Sequence, residues 1–196
     1  ASLYVSPFVV NTAVTITARV KNGSSWGPKS NISLITSGVL VKNLYINEFL
    51  ASNTGNITDE FGEHEDWIEL YNAGDSAVNI SGLYITDNLG QPLLYQIPSD
   101  SSGATIIPAK GFGILWADRQ MSQGPLHIDI RLSASGEAIG IYQKIGESVY
   151  SIDTYTFGAQ QTDISRGRLP NGGPNWFNFS QPTPGAPNIA DDVPPV

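Results

Sequence analysis

An all-β fold, a sandwich or a barrel, is what this sequence predicts, and three observations predict it. Strand-like runs rich in Val, Ile, Thr and Tyr recur at roughly 8–12-residue spacing, with turn residues between them. No ten-residue stretch carries the i, i+3, i+4, i+7 periodicity of an amphipathic helix. The 20 glycines and 13 prolines suit many tight turns and fall short of a low-complexity composition.

The strands can be placed in order. Val14–Lys21 alternates Val14, Ile16, Ala18 and Val20 with Thr15, Thr17, Arg19 and Lys21; Asn22-Gly23 then marks a turn, and Asn31–Leu34 reads as the return strand. Leu44–Ala51 follows, with Glu48 between apolar neighbours, where an inward-facing carboxylate would need a partner. In Trp67–Tyr71, Ile68 and Leu70 point one way and Trp67, Glu69 and Tyr71 the other, before the turn Asn72-Ala73-Gly74-Asp75. Further strands are predicted at Gly82–Asp87, Leu93–Ile97, Phe112–Ala117 (after the turn Pro108–Gly111), Ile128–Leu132, Glu137–Gln143 and Val149–Phe157. Arg166 and Arg168 offer two forked donors that, with Asp163 nearby, are expected to tie the C-terminal segment onto the sheets.

One boundary is visible near Thr36-Ser37-Gly38. Two strands alone make no stable domain, so residues 1–38 are expected to be the closing hairpin of a preceding module, in a piece of a longer chain. Residues 39–188 form the intact domain, and 189–196 read as a proline-rich exit linker. The unpaired hairpin edge invites either docking or pairing with a second copy, giving a dimer through the N-terminal hairpin.

Composition excludes several classes of function. With 18 acidic and 10 basic residues the formal charge is −8, which argues against nucleic acid, since phosphate binding needs a basic surface. The absence of cysteine excludes disulfides, zinc thiolates and cysteine nucleophiles and leaves the compartment open. No run approaches the ~20 apolar residues of a membrane span, so membrane insertion is not expected.

The acidic turn is the chief candidate site. Asp59, Glu60, Glu63, Glu65 and Asp66 crowd into eight positions around Gly62 at the mouth of a strand. Asp59, Glu63, Glu65 and Asp66 with nearby carbonyls could supply several of the hard oxygens of a Ca²⁺ site, the one cofactor in view. The spacing fails the EF-hand pattern, and a solvated rim is the other reading, its like charges screened by salt. A glycosidase pair would need a cleft, which a surface turn does not offer. His64 lies in the turn and His127 follows Gly124-Pro125; neither has the two-histidine spacing of a zinc site, and both read as solvent-exposed. Gly23–Gly27 matches the G-x-S-x-G elbow as a string, but Pro28 and a strand follow Ser25 where a helix is required, so no catalytic residue is assigned. Trp26, Trp67, Trp116 and Trp176, with Tyr71 and Tyr84, could form a sugar-stacking platform, but most of them are expected to pack in the core.

An ordered series of motifs carries a family resemblance. It runs I-N-E-F (Ile46–Phe49), D-W-I-E-L-Y-N (Asp66–Asn72), I-S-G-L-Y-I-T-D (Ile80–Asp87), P-L-L-Y-Q-I-P (Pro92–Pro98) and I-I-P-A-K-G-F-G-I-L-W-A (Ile106–Ala117). R-L-S-A-S-G-E (Arg131–Glu137), D-I-S-R-G-R-L-P (Asp163–Pro170) and P-T-P-G-A-P-N (Pro182–Asn188) complete it. Together these resemble the lamin tail domain, in particular bacterial members that occur as modules of secreted multi-domain proteins. The segment A-R-V-K-N-G-S-S-W-G-P-K-S similarly resembles the last hairpin of a fibronectin type III or Ig-like domain. The resemblance implies an Ig-like antiparallel β-sandwich preceded by a β-hairpin fragment, and a non-enzymatic role. That role would be an adhesion, spacer or targeting unit, extracellular or at the cell surface, contacting other domains of its parent protein or an extracellular protein or glycan. A carbohydrate-binding module, with or without a structural calcium ion, is the alternative. A nuclear lamin is not implied, because the heptad-bearing rod and the prenylation box are missing from these 196 residues.

Overall fold

The computed structural model describes residues 14–34, 39–99 and 102–189. Contacts divide the chain into two compact units, Ala1–Leu40 and Val41–Val196. The boundary expected at Thr36-Ser37-Gly38, and residues 190–196 of the expected linker, lie outside the described residues.

The first unit holds an antiparallel hairpin. Strand β1 (Val14–Ala18) pairs with β4 (Ser30–Leu34), from Val14 opposite Leu34 to Ala18 opposite Ser30. The tip is β2 (Lys21–Asn22) against β3 (Ser25–Trp26). Gly23 takes φ 60° at the first central position of the two-residue loop, a conformation that suits glycine and matches the twist of the flanking strands. Arg19 lies 4.3 Å over the half-exposed Trp26 ring, so this tryptophan packs under a cation rather than in a core.

The second unit is an Ig-like antiparallel β-sandwich. Its strands are β5 (Leu44–Leu50), β6 (Trp67–Asn72), β7 (Val78–Asn79), β8 (Tyr84–Thr86), β9 (Tyr95–Gln96), β10 (Ile106–Ile107), β11 (Phe112–Trp116), β12 (Glu137–Ile145), β13 (Ser148–Phe157), β14 (Ser165–Arg168) and β15 (Trp176–Phe179). One sheet has the order β11-β6-β5-β14-β15, the other β13-β12-β8-β9, and β7 and β10 form a small pair of their own. The only helical turn among the described residues is the 3₁₀ segment Met121–Gln123.

Period-two alternation decides what fills the space between the sheets. Ile46, Phe49, Ile68, Leu70 and Leu115 from the first sheet meet Ile85, Ile139, Ile141 and Phe157 from the second, all buried. Phe49 and Phe157 touch across the gap with ring centroids 4.4 Å apart. Each such side chain removed from water contributes about 1.5–3 kcal/mol. In β5 the register slips between Ile46 and Glu48, leaving Asn47 as an extra residue. The bulge turns its amide toward Glu69 and Asn171.

The outer face of the five-stranded sheet is also covered. At one end Leu50, Trp67 and Trp116 form a second, small apolar cluster with Ile57 and Ile114 beneath the loop that precedes β6. At its centre Glu48 and Glu69 stand side by side under the Thr183–Asn188 segment. This coverage explains why β5 and β6 are buried on both faces despite their alternating sequence.

Three expectations need correction. Ile128–Leu132 alternates as expected, with Ile128, Ile130 and Leu132 buried, yet it pairs with no strand among the described residues. It meets β11 only through bonds around Trp116, so it is an extended segment that fills the core without a ladder. Residues 165–168 and 176–179 are ladder strands where only a tether was expected. Asp163 does not meet the arginines: it accepts from Thr54 and Gly55. The partner of Arg168 is Asp153, at 3.0 and 3.1 Å.

Candidate metal centre

Two loops build the site. The first is the acidic turn before β6, and the second follows β11.

Asp59 organises the first. Its Oδ1 accepts from the backbone N–H of Phe61 (2.8 Å) and of Glu63 (2.9 Å), while Gly62 takes φ 82°. A short acceptor facing the N–H two residues ahead is what Asp supplies in such turns. The turn rolls the carboxylate inward, leaving Asp59 only 6% exposed and its Oδ2 buried with no hydrogen-bond partner among the described residues.

Asp118 repeats the device after β11. Its Oδ1 accepts from Gln120 N at 2.7 Å, and its Oδ2 lies 2.5 Å from His127 Nδ1. Trp116 N donates to Leu126 O and Ile128 N donates to Trp116 O, which fastens the residue between them beside β11. His127 is therefore wholly buried, against the solvent-exposed reading of the sequence. Phe61 closes over it edge-on, ring centroids 6.0 Å apart. Its Nε2 stands 3.3 Å from Oε1 of Glu60, a side chain that is itself 59% exposed. One donor atom from each of Asp59, Asp118 and His127 lies within 4.8 Å of the others.

Burial is the largest influence on His127 and works to lower its pKa. The hydrogen bonds and charges of Asp118 and Glu60 together outweigh it, and the net direction is upward. The imidazolium is thus favoured between its two carboxylates.

The remaining acidic residues of the turn face elsewhere. Glu63 accepts from Gln120 and Gln123 at 3.0 and 2.9 Å, and Glu65 from Gln120 at 3.3 Å. Asp66 accepts from Asn53 N at 3.2 Å, and burial raises its pKa to about 6. Of the four carboxylates expected to share an ion, Asp59 alone joins the buried cluster. Asp118 and His127 lie 59 and 68 residues further along the chain, and only the β11–β6 pairing brings them near. His64 is exposed.

The Asp118–His127 pair has the orienter–base geometry of a hydrolytic triad. The group at Nε2, however, is the carboxylate of Glu60, where a triad needs a hydroxyl or thiol. Ser25 sits exposed in strand β3 of the hairpin, with another strand following. One imidazole and several carboxylates are instead a mixed nitrogen–oxygen donor set of the kind that holds a divalent metal.

The other buried carboxylates are fully engaged. Glu48 accepts from Ser165 Oγ, Thr183 N (3.2 Å) and Thr183 Oγ1 (3.0 Å). Glu69 accepts from Asn47 Nδ2 at 2.9 Å and Gly185 N at 2.6 Å. Both oxygens of Glu69 hold structure in place and face no cleft.

Tyr45, Tyr71 and Phe112 form a row across β5, β6 and β11. Tyr71 and Phe112 stack on each other with ring centroids 5.0 Å apart, and Gly172 lies beside the Tyr45 and Tyr71 rings.

The lamin tail domain model matches residues 41–159, more than half the chain and most of the sandwich; β14 and β15, which complete its larger sheet, lie beyond the matched segment. No curated protein and no solved structure matches the chain. The chain carries a non-catalytic Ig-like module and belongs to the lamin tail domain family.

Proposed function

We propose that this module is an interaction and spacer unit of a larger extracellular or surface-attached protein, and that the chain itself performs no catalysis. One observation carries the reading: Glu48, Glu69, Arg168 and Asp153, all largely buried, are spent on joining segments of the module. Glu48 and Glu69 hold the C-terminal segment, Arg168 and Asp153 join β14 to β13, and His127 Nε2 meets a carboxylate instead of a nucleophile. The sandwich is thereby tied from Val41 through Asn188, as suits a unit that transmits position between neighbours. The hairpin preceding it is read as the end of a fibronectin-like or Ig-like module, because two strands need further strands to be stable.

The carbohydrate-binding alternative is the weaker one. A sugar stacks on an open aromatic face, and in the row on β5, β6 and β11 Tyr71 and Phe112 already stack on each other.

Two assays test the reading. A screen with ester, peptide and glycoside substrates is expected to show no turnover; turnover abolished by His127→Ala or Glu69→Gln would refute the non-catalytic role. A fluorescent fusion is expected to be retained on an extracellular protein fraction and to ignore a glycan array. Saturable glycan binding lost on Tyr71→Ala would favour the alternative.

A further inference from the structure

We propose that Asp59, Glu60 and His127, with Asp118 holding the far nitrogen of His127, form a site for a divalent transition metal of zinc's class.

The cluster is more than a crowd of acids. Asp59 is more than nine-tenths buried, and its Oδ2 lacks a hydrogen-bond partner among the described residues, while a donor atom of its carboxylate lies within 4.8 Å of donors from Asp118 and His127. A buried carboxylate oxygen without a partner is uncommon and unfavourable, and a cation beside it removes the deficit. Asp59 and Asp118 bring two carboxylates into this buried space and Glu60 brings a third at its rim, with one imidazole among them.

The donor chemistry selects the ion. Ca²⁺ and Mg²⁺ take oxygen ligands almost throughout, whereas an imidazole with carboxylates suits zinc and its neighbours. Bonds of about 2.0–2.2 Å place neighbouring ligands of a tetrahedral zinc about 3.3–3.5 Å apart. His127 Nε2 and Glu60 Oε1, a hydrogen-bonded pair at 3.3 Å, are separated by that spacing, and an ion held by both would replace their hydrogen bond. Asp118 Oδ2 is only 2.5 Å from Nδ1, too close for both atoms to ligate one ion. Asp118 therefore acts as the outer partner that orients the ring, the arrangement usual for metal-bound histidines. Glu60, 59% exposed, extends the donor set to the surface. Once bound, the ion would join the turn before β6 to the loop after β11.

Titrating the whole chain with Zn²⁺, Co²⁺ and Ca²⁺, followed by calorimetry and melting curves, tests the site. One Zn²⁺ per chain is expected, with Tm raised by roughly 5–10 °C at 100 times the dissociation constant. Co²⁺ should give the visible bands of a tetrahedral complex, and Ca²⁺ should leave Tm unchanged. Glu60 is exposed, so Glu60→Gln should fold normally and bind zinc at least tenfold more weakly. Asp59→Asn and His127→Asn should remove binding, and Glu63→Gln should preserve it. Failure of wild-type protein to bind either zinc or cobalt overturns the proposal, as does unchanged zinc affinity in Glu60→Gln or binding that survives Asp59→Asn. A shift with Ca²⁺ alone also overturns it.

Discussion

Glu48 and Glu69 face each other directly in the β5–β6 ladder, both fully buried, and each carboxylate grips the same returning segment. Glu48 does so through Thr183, and Glu69 through the backbone N–H of Gly185. Two like charges side by side in a dry sheet are costly, and protonation of one relieves the cost. Burial foremost, reinforced by the Glu48 charge against its hydrogen bonds, raises the pKa of Glu69 to about 8.

This pair makes stability depend on pH in a defined direction. Between the ordinary value of 4.5 and about 8 the folded Glu69 keeps a proton that the unfolded chain has lost. The unfolded state then binds fewer protons, so stability falls as pH rises through that window, at up to about 1.4 kcal/mol per pH unit. Asp66, raised by burial to about 6, adds the same sign between 3.8 and about 6. Urea melts from pH 4.5 to 9 should show the decline, and Glu69→Gln should flatten it above pH 6. A wild-type profile that rises with pH contradicts the raised pKa of Glu69.

Arg168 is expected to be the most sensitive cation in the sandwich. It donates to Ile46 O (2.8 Å), to Gly173 O (2.6 Å) and to both oxygens of Asp153, which in turn accepts from Ile46 N (2.9 Å). Arg168→Ala should cost about 3–5 kcal/mol, because it strands a largely buried carboxylate. Lysine should not rescue it, since one ammonium cannot reproduce the fork. In a double-mutant cycle, Arg168→Ala with Asp153→Ala should cost less than the two single changes added together. Strict additivity would show that the pair does not act as a unit.

Gly167 reports on the C-terminal clasp. A Cβ there would lie 2.5 Å from Asn188 Nδ2 and 3.1 Å from Asn47 O. Asn188 Nδ2 donates to Arg168 O at 2.9 Å, so Gly167→Ala should expel that amide and loosen residues 183–188. A loss of about 1–3 kcal/mol is expected from the unpaired carbonyl. Limited proteolysis should cut the variant after the sandwich faster than wild type. Equal cutting rates would mean that the segment is held without Asn188.

The hairpin of β1 and β4 forms a two-stranded sheet among the described residues, leaving backbone edges to be satisfied. Pairing of that edge with a second copy would make the full chain sediment as a dimer at micromolar concentration and a chain beginning at Val39 as a monomer, whereas a docked hairpin would leave both monomeric. A monomeric full chain would refute pairing through the hairpin.

Local pattern alone determined the fold class. Period-two runs such as Ile68/Leu70 and Ile139/Ile141 can bury one face only as strands, and both pairs lie in the inter-sheet core. The Asn22-Gly23 turn was equally readable, because positive φ at Gly23 is a local demand. Tertiary structure decided the rest. Residues 128–132 carry the same alternation but make no ladder, since alternation records burial and not the availability of a partner strand. Ser165–Arg168 becomes a strand because the edge of β5 is there to receive it. The candidate centre was half legible: the acidic turn announced Asp59, whereas nothing near His127 in the chain marked it as buried. Its environment comes from Asp118 and from Glu60 and Phe61, brought over it by the β11–β6 pairing. Sequence spacing can show donors within one turn, but donors drawn from two loops become neighbours only when the sheet beneath them forms.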